Sequence, residues 1–179
     1  MRKNNTMKIA LCGIMGALII TILFLGFLFP FATYACPAIA ACCLLPIVHE
    51  YGQKTAFTLY LAVSFLAVML VPEQEMVFMF IFVFGFYTVI KFTVDKIKSK
   101  TLRIILKLIY VNTGIIISYG ILLFVFPVAM LVEEFSVYGI GFIVILMVMF
   151  NALFILYDKA AATMLIVYIY RLRPKIFGK

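Results

Sequence analysis

Charge is scarce in this sequence: only 12% of its 179 residues are charged, seven of those are acidic, and 67% of the chain is hydrophobic. Ordinary globular domains are about a quarter charged and about half apolar. A soluble domain of this size has no interior large enough to hide so much apolar surface, so lipid must act as solvent for part of it. No hydrophilic stretch is long enough for a second domain, and residues 1–179 read as a single transmembrane domain.

Catalytic and metal-binding signatures are missing too. The one histidine, His49, is followed by Glu50, but position 53 is Gln53, so the second histidine of a zinc-protease helix is absent. There is no GxSxG nucleophile elbow. A GxxxxGK[ST] phosphate loop is also lacking, which excludes ATP hydrolysis by that route. Cys12, Cys36, Cys42 and Cys43 lie in or beside apolar segments without CxxC or Cys/His spacing. They read as small packing residues, with Cys36 alone placed as a reactive thiol. The expectation is a non-enzyme with no catalytic residues, metal or other cofactor, and His49 and Glu50 as interfacial polar residues.

What is present is a series of apolar runs. A bilayer core of about 30 Å needs about 20 apolar residues as a helix. Segments near 9–29, 35–49, 55–71, 76–94, 104–127 and 138–158 meet or approach this, and the apolar character continues to 170. Pro30 with Pro37, His49 to Lys54, Pro72 to Glu75, Asp95 to Lys100, and Glu133-Glu134 separate them. Arg2, Lys3 and Lys8 before the first run resemble the start of a signal peptide. That run, Ile9 to Phe29, has 21 residues, against roughly 7–15 for a secretory apolar core. The first helix is expected to stay.

The fifteen Lys and Arg residues give the chain a net charge of +8, but they lie in short clusters between apolar runs, which argues against nucleic acid. With the N-terminus inside, fourteen of the fifteen fall on the cytoplasmic side, and Lys159 lies near the inner end of helix six. The outer connections carry no Lys or Arg, and they hold Glu73, Glu75, Glu133 and Glu134. The expected architecture is therefore all-α: a polytopic bundle of about six transmembrane helices in the cell membrane, both termini cytoplasmic.

Polar groups inside apolar helices are costly and usually face the bundle or a cavity. Asn112, Tyr119, Asn151, Asp158, Tyr87 and Lys91 are the candidates. Asp158, with Lys159 beside it and Lys91 at a similar depth, reads either as a structural ion pair or as a ligand or proton site. Asn112 and Asn151 suit interhelical hydrogen bonds. Tyr34, Tyr138, Tyr168 and Tyr170 suit an interfacial belt, whereas Tyr87 and Tyr119 lie deeper, where a hydroxyl needs a partner. Together Tyr34, Glu75, Tyr87, Tyr119, Asn151 and Asp158 form the candidate substrate-binding set. In helix one, Cys12 with Gly16 and Gly13 with Ala17 are small residues four apart, fit either for packing within the chain or for docking another subunit. The run 138–170 holds 33 residues, about 50 Å as a straight helix. Its end, 164–170, is apolar all round and needs a partner or the bundle to cover it.

The basic start leading into Lys8-Ile-Ala10-Leu-Cys-Gly13-Ile-Met-Gly16-Ala17, a proline-containing connection after helix one, and the basic end Arg171-Leu-Arg173-Pro-Lys175 resemble the substrate-binding S components of energy-coupling factor (ECF) transporters. The resemblance is architectural over the whole chain. It implies an outward-facing pocket closed by the first outer loop and lined by helices four to six. It also implies dependence on a transmembrane coupling subunit and two cytoplasmic ATPases to import a small-molecule substrate such as a vitamin. The competing expectation is a non-transport assembly or regulatory subunit that packs against other membrane proteins; a membrane-embedded enzyme is least supported.

Overall fold

The computed structural model describes the backbone of residues 2–29, 32–125 and 129–177. Pro30, Pro127, and the side chains of Glu133, Glu134 and Tyr138 lie outside the described residues. The elements are α1 (Arg2–Phe27), α2 (Ala35–Cys42), α3 (Leu45–Leu70), α4 (Gln74–Val94), α5 (Lys100–Val125), α6 (Ala129–Val167) and the short α7 (Arg173–Phe177). No strand occurs among the described residues. Among the described residues five helical stretches are long and apolar enough to cross a membrane: Thr6–Phe27, Leu45–Leu70, Gln74–Val94, Lys100–Phe124 and Met147–Lys175. Large apolar side chains cover their outer faces; Phe124 is 91% exposed and Met69 70%. Water would not tolerate such a surface on a folded monomer, so the protein is an all-helical, multi-pass membrane protein.

The expected second segment, 35–49, is not one straight helix. Pro46 has no N–H to donate to the carbonyl of Cys42, and its ring crowds that carbonyl. The chain tightens there instead: Cys43 N–H donates to Ala40 O (3.1 Å) and Leu44 N–H to Ala41 O (3.0 Å) before α3 begins. A sharper break follows inside α3 at Gly52, whose φ of 81° and ψ of 171° belong to a region essentially reserved for glycine. That break falls within the expected interruption from His49 to Lys54. The Tyr34 hydroxyl meets Glu75 at the start of α4, and Gln53 Nε2 donates to Thr93 Oγ1 near its end. Residues 34–53 therefore run alongside the whole of α4.

At the centre of α4, Met79–Gly85 is wound as a π-helix. Widening a helix to i→i+5 bonding breaks the regular ladder, and in an apolar medium a freed carbonyl needs a donor. Tyr60 of α3 donates to Ile81 O (2.8 Å), and Tyr110 of α5 donates to Phe82 O (2.7 Å). Gly114 permits the second contact, because a Cβ there would sit 2.7 Å from Phe82 O. The buried core gathers round this helix, with Met76, Met79, Phe80, Phe84 and Tyr87 all essentially inaccessible.

α6 spans 39 residues, about 60 Å at the usual rise. Its lower part and the π-helical turn Tyr168–Leu172 that continues it are covered on one face by the chain itself: Ala161 and Tyr168 are buried, and the Tyr168 ring lies edge-on to His49. Met164, Ile166, Val167 and Tyr170 of the same stretch remain exposed.

Two substitutions test this architecture. Gly114→Ala should push α5 off α4 and cost on the order of 1–3 kcal/mol as an overpacked contact. Tyr110→Phe, which keeps the ring but removes the donor, should cost about 1 kcal/mol. Thermal unfolding in detergent reads both; a Gly114→Ala melt equal to wild type would contradict the close approach.

Candidate functional site

The sequence-selected polar residues gather into three layers. At the end of the bundle where α4 begins, three elements converge on one carboxylate. Tyr34 lies at the start of α2, Glu75 in the first turn of α4 and Tyr119 in the last third of α5. Both tyrosine hydroxyls donate to Glu75 Oε1 at 2.8 Å and lie 3.1 Å from each other. Burial pushes the Tyr34 hydroxyl up to about 12, and the neighbouring Glu75 charge adds to the rise. Tyr34 therefore remains a hydrogen-bond donor at neutral pH. Phe150 of α6 packs its ring edge-on to Tyr34, with centroids 4.9 Å apart.

Beside this group the Thr33 hydroxyl donates to Glu73 at 2.7 Å. No Lys or Arg among the described residues forms an ion pair with Glu73 or Glu75. Glu75 Oε2 has no hydrogen-bond partner among the described residues. The result is a half-buried carboxylate with one oxygen fixed by two hydroxyls and the other without a hydrogen-bond partner or compensating cation among the described residues. Such a group attracts an ammonium or another hydrogen-bond-donating cation.

The middle layer is self-contained. Asn151 Nδ2 donates to Asn112 Oδ1 (3.1 Å), Asn112 Nδ2 faces Asn151 Oδ1 (3.3 Å), and each amide also donates to the carbonyl four residues back. The pair joins α5 to α6 as an interhelical hydrogen bond.

At the other end Asp158 lies in an alternating square of charges. Its Oδ1 accepts from Lys91 of α4 and from the Tyr87 hydroxyl (2.6 Å). Its Oδ2 meets Lys107 of α5 (2.7 Å). Asp95 closes the square, 2.8 Å from Lys107 Nζ and 3.4 Å from Lys91 Nζ. Both ammonium groups also stand over the Tyr87 ring, at 5.7 and 5.8 Å from its centroid. Two cations and two anions thus balance where α4, α5 and α6 meet. Lys159, despite its adjacency to Asp158, is exposed and forms none of these pairs. Sequence reasoning missed the participation of Lys107 and Asp95. The available signals were a lysine inside an apolar run and an aspartate four residues after Lys91.

The helix-one residues divide by face. Gly16 is buried, and a Cβ there would meet Leu59 and Val63 of α3 at 3.3 and 3.4 Å. Cys12 is half-buried on the same side. Gly13 and Ala17 are exposed, and nothing lies within 4 Å of a Cβ built on Gly13. At the basic end Glu50 accepts a hydrogen bond from Arg173 Nε at 2.7 Å, tying α7 to the first half of α3.

Asp158→Asn leaves Lys91, whose side chain is only 6% accessible, without its closest counter-charge. Breaking a buried pair from one side costs about 3–5 kcal/mol. Detergent melting should show a large loss for Asp158→Asn and partial recovery when Lys91→Met is added. A loss unchanged by the second substitution would contradict the pairing. No family model, curated protein or solved structure matches this chain.

Proposed function

We propose that this chain is the substrate-capture subunit of an ECF-type importer, binding a small amine-bearing nutrient such as a vitamin at its acidic end. The observation that carries the reading is Glu75, with one oxygen held by Tyr34 and Tyr119 and the other without a partner among the described residues. The resemblance to S components implies a pocket closed by the first outer loop and lined by helices four to six. In support, Tyr34 follows that loop, and Glu75, Tyr119 and Phe150 come from α4, α5 and α6. Apolar walls with a few fixed polar groups suit a small-molecule site.

The proposed topology has six crossings in the cell membrane, with α2 and α3 up to Gly52 together forming the second. Its support is the alignment of residues 34–53 along α4 and the confinement of nearly all basic residues to one end. That end is cytoplasmic, as are both termini. A coupling subunit and ATPases complete the importer, because the chain has no phosphate-binding loop of its own. The exposed Gly13 and Ala17 face and the outward side of 164–170 are its proposed contact surfaces. The same surfaces favour the second reading, a non-transport assembly subunit, which needs no ligand at Glu75.

Thermal unfolding of the purified chain against a panel of amine-bearing vitamins separates the two. A ligand that binds only the folded state raises stability as RT ln(1 + [L]/Kd), and Glu75→Gln should weaken it by roughly 10- to 150-fold, the equivalent of about 1.5–3 kcal/mol for a charged hydrogen bond. Absence of any stabilising ligand, together with absence of an ATPase pair and coupling subunit on co-purification, would retire the importer reading.

A further inference from the structure

A cavity of about 520 Å³ opens at the basic end between α5 and α6 and shares no residue with the acidic-end site. Four cations (Lys91, Arg103, Lys107 and Lys159) and two carboxylates (Asp95 and Asp158) line it. Lys91 and Lys107 are spent on the two carboxylates in the charge square. Arg103 and Lys159 are left over. Among the described residues Lys159 has no carboxylate partner, and Arg103 reaches only the backbone carbonyl of Asp95, at 3.4 Å. The cavity therefore carries an excess of two positive charges beside a neutral, rigid floor.

The rest of the lining is hydrocarbon: Ile104, Leu108, Phe154, Ile155 and Ala162. Ile104 is 53% exposed and Ile155 45%, so the cavity is open to the side, toward the surroundings of the bundle. Toward the middle of the bundle the lining is apolar, with Leu108, Phe154 and Ile155, whereas at the basic end Ile104 and Ala162 stand among Arg103, Lys107, Asp158 and Lys159. A soluble anion would match only the charged half. A molecule with an anionic head and alkyl chains matches both halves, and basic pockets between transmembrane helices are suited to such headgroups.

We infer that this groove binds an anionic phospholipid, its phosphate between Arg103 and Lys159 and an acyl chain along Ile104, Leu108 and Ile155. The charge square gives the phosphate a fixed platform, so the bound lipid braces α5 against α6 at the point where α4 joins them. This assignment does not depend on what binds at Glu75.

The test compares the full chain in nanodiscs of phosphatidylcholine alone with nanodiscs in which a fifth of the lipid is phosphatidylglycerol. Native mass spectrometry should show phosphatidylglycerol retained over phosphatidylcholine, and the melting temperature should be higher in the mixed discs. Arg103→Gln with Lys159→Gln should lower retention about thirtyfold, as expected for losing on the order of 1 kcal/mol at each of two basic residues at a lipid surface. Removing the same charge elsewhere, with Lys8→Gln and Lys54→Gln, should leave the preference intact. Equal retention of the two lipids by the wild-type chain would overturn the inference. So would an equal loss in both double variants, which would mean diffuse attraction to the basic surface. A melting shift reproduced in phosphatidylcholine by glycerol 3-phosphate alone would instead assign the groove to a soluble anion and overturn the lipid.

Discussion

Inside a bilayer no water is available to satisfy a polar group, and the structure is organised around that shortage. Its costliest members are the ammonium groups of Lys91 and Lys107, which must find carboxylates within the chain. They find them in Asp158 and Asp95, so α4, α5 and α6 are joined through one neutral square of charge. The same requirement recurs in weaker forms along the bundle. Tyr60 and Tyr110 supply donors to the carbonyls of the π-helical turn, and Asn112 and Asn151 close on each other. Each of these contacts fixes one helix against a neighbour at a defined depth, which apolar packing against lipid-like surfaces alone does not do.

The two ends of the bundle solve their electrostatics differently. At the basic end, cations and anions compensate each other and the excess charge faces outward. At the acidic end Glu75 is held by hydroxyls rather than by a cation, so its charge is oriented but not neutralised. A carboxylate kept in that condition is preorganised for a positively charged guest, because the desolvation it suffers is offset only when a cation arrives. The proposed importer role rests on this contrast.

Much of this was legible in the sequence, for reasons that can be named. Helix existence followed from the lengths of the apolar runs, and the break near His49 to Lys54 followed from its polar residues; Gly52 is where the backbone turns. Tyr87, Tyr119, Asn151 and Asp158 stood out as polar groups in apolar runs, Tyr34 as an interfacial tyrosine and Glu75 as an acid of an outer connection, and the structure gives each a polar partner. Their division into three layers was not legible, because it depends on which helix lies beside which. Asp158 and Glu75 were grouped in one candidate set, whereas they lie at opposite ends. The contact of Lys107 with Asp158 was not legible either, because it joins residues 51 positions apart. The π-helical turn left no periodic signature, since Met79–Gly85 is apolar at every position. The interruption of 35–49 had a visible cause in Pro46, but its form, a tightened turn rather than a helix end facing solvent, required the structure.

The proposed topology requires the chain between Tyr34 and Gln53 to traverse the membrane, with the acidic and basic ends on opposite sides. Single cysteines at positions 54, 73, 98 and 175, in a chain whose four native cysteines are replaced by alanine or serine, can be probed in intact cells with a membrane-impermeant maleimide. Position 73 should label from outside, and positions 54, 98 and 175 only after permeabilisation. Labelling of 54 together with 73, or of 98 and 175 from opposite sides, would contradict it.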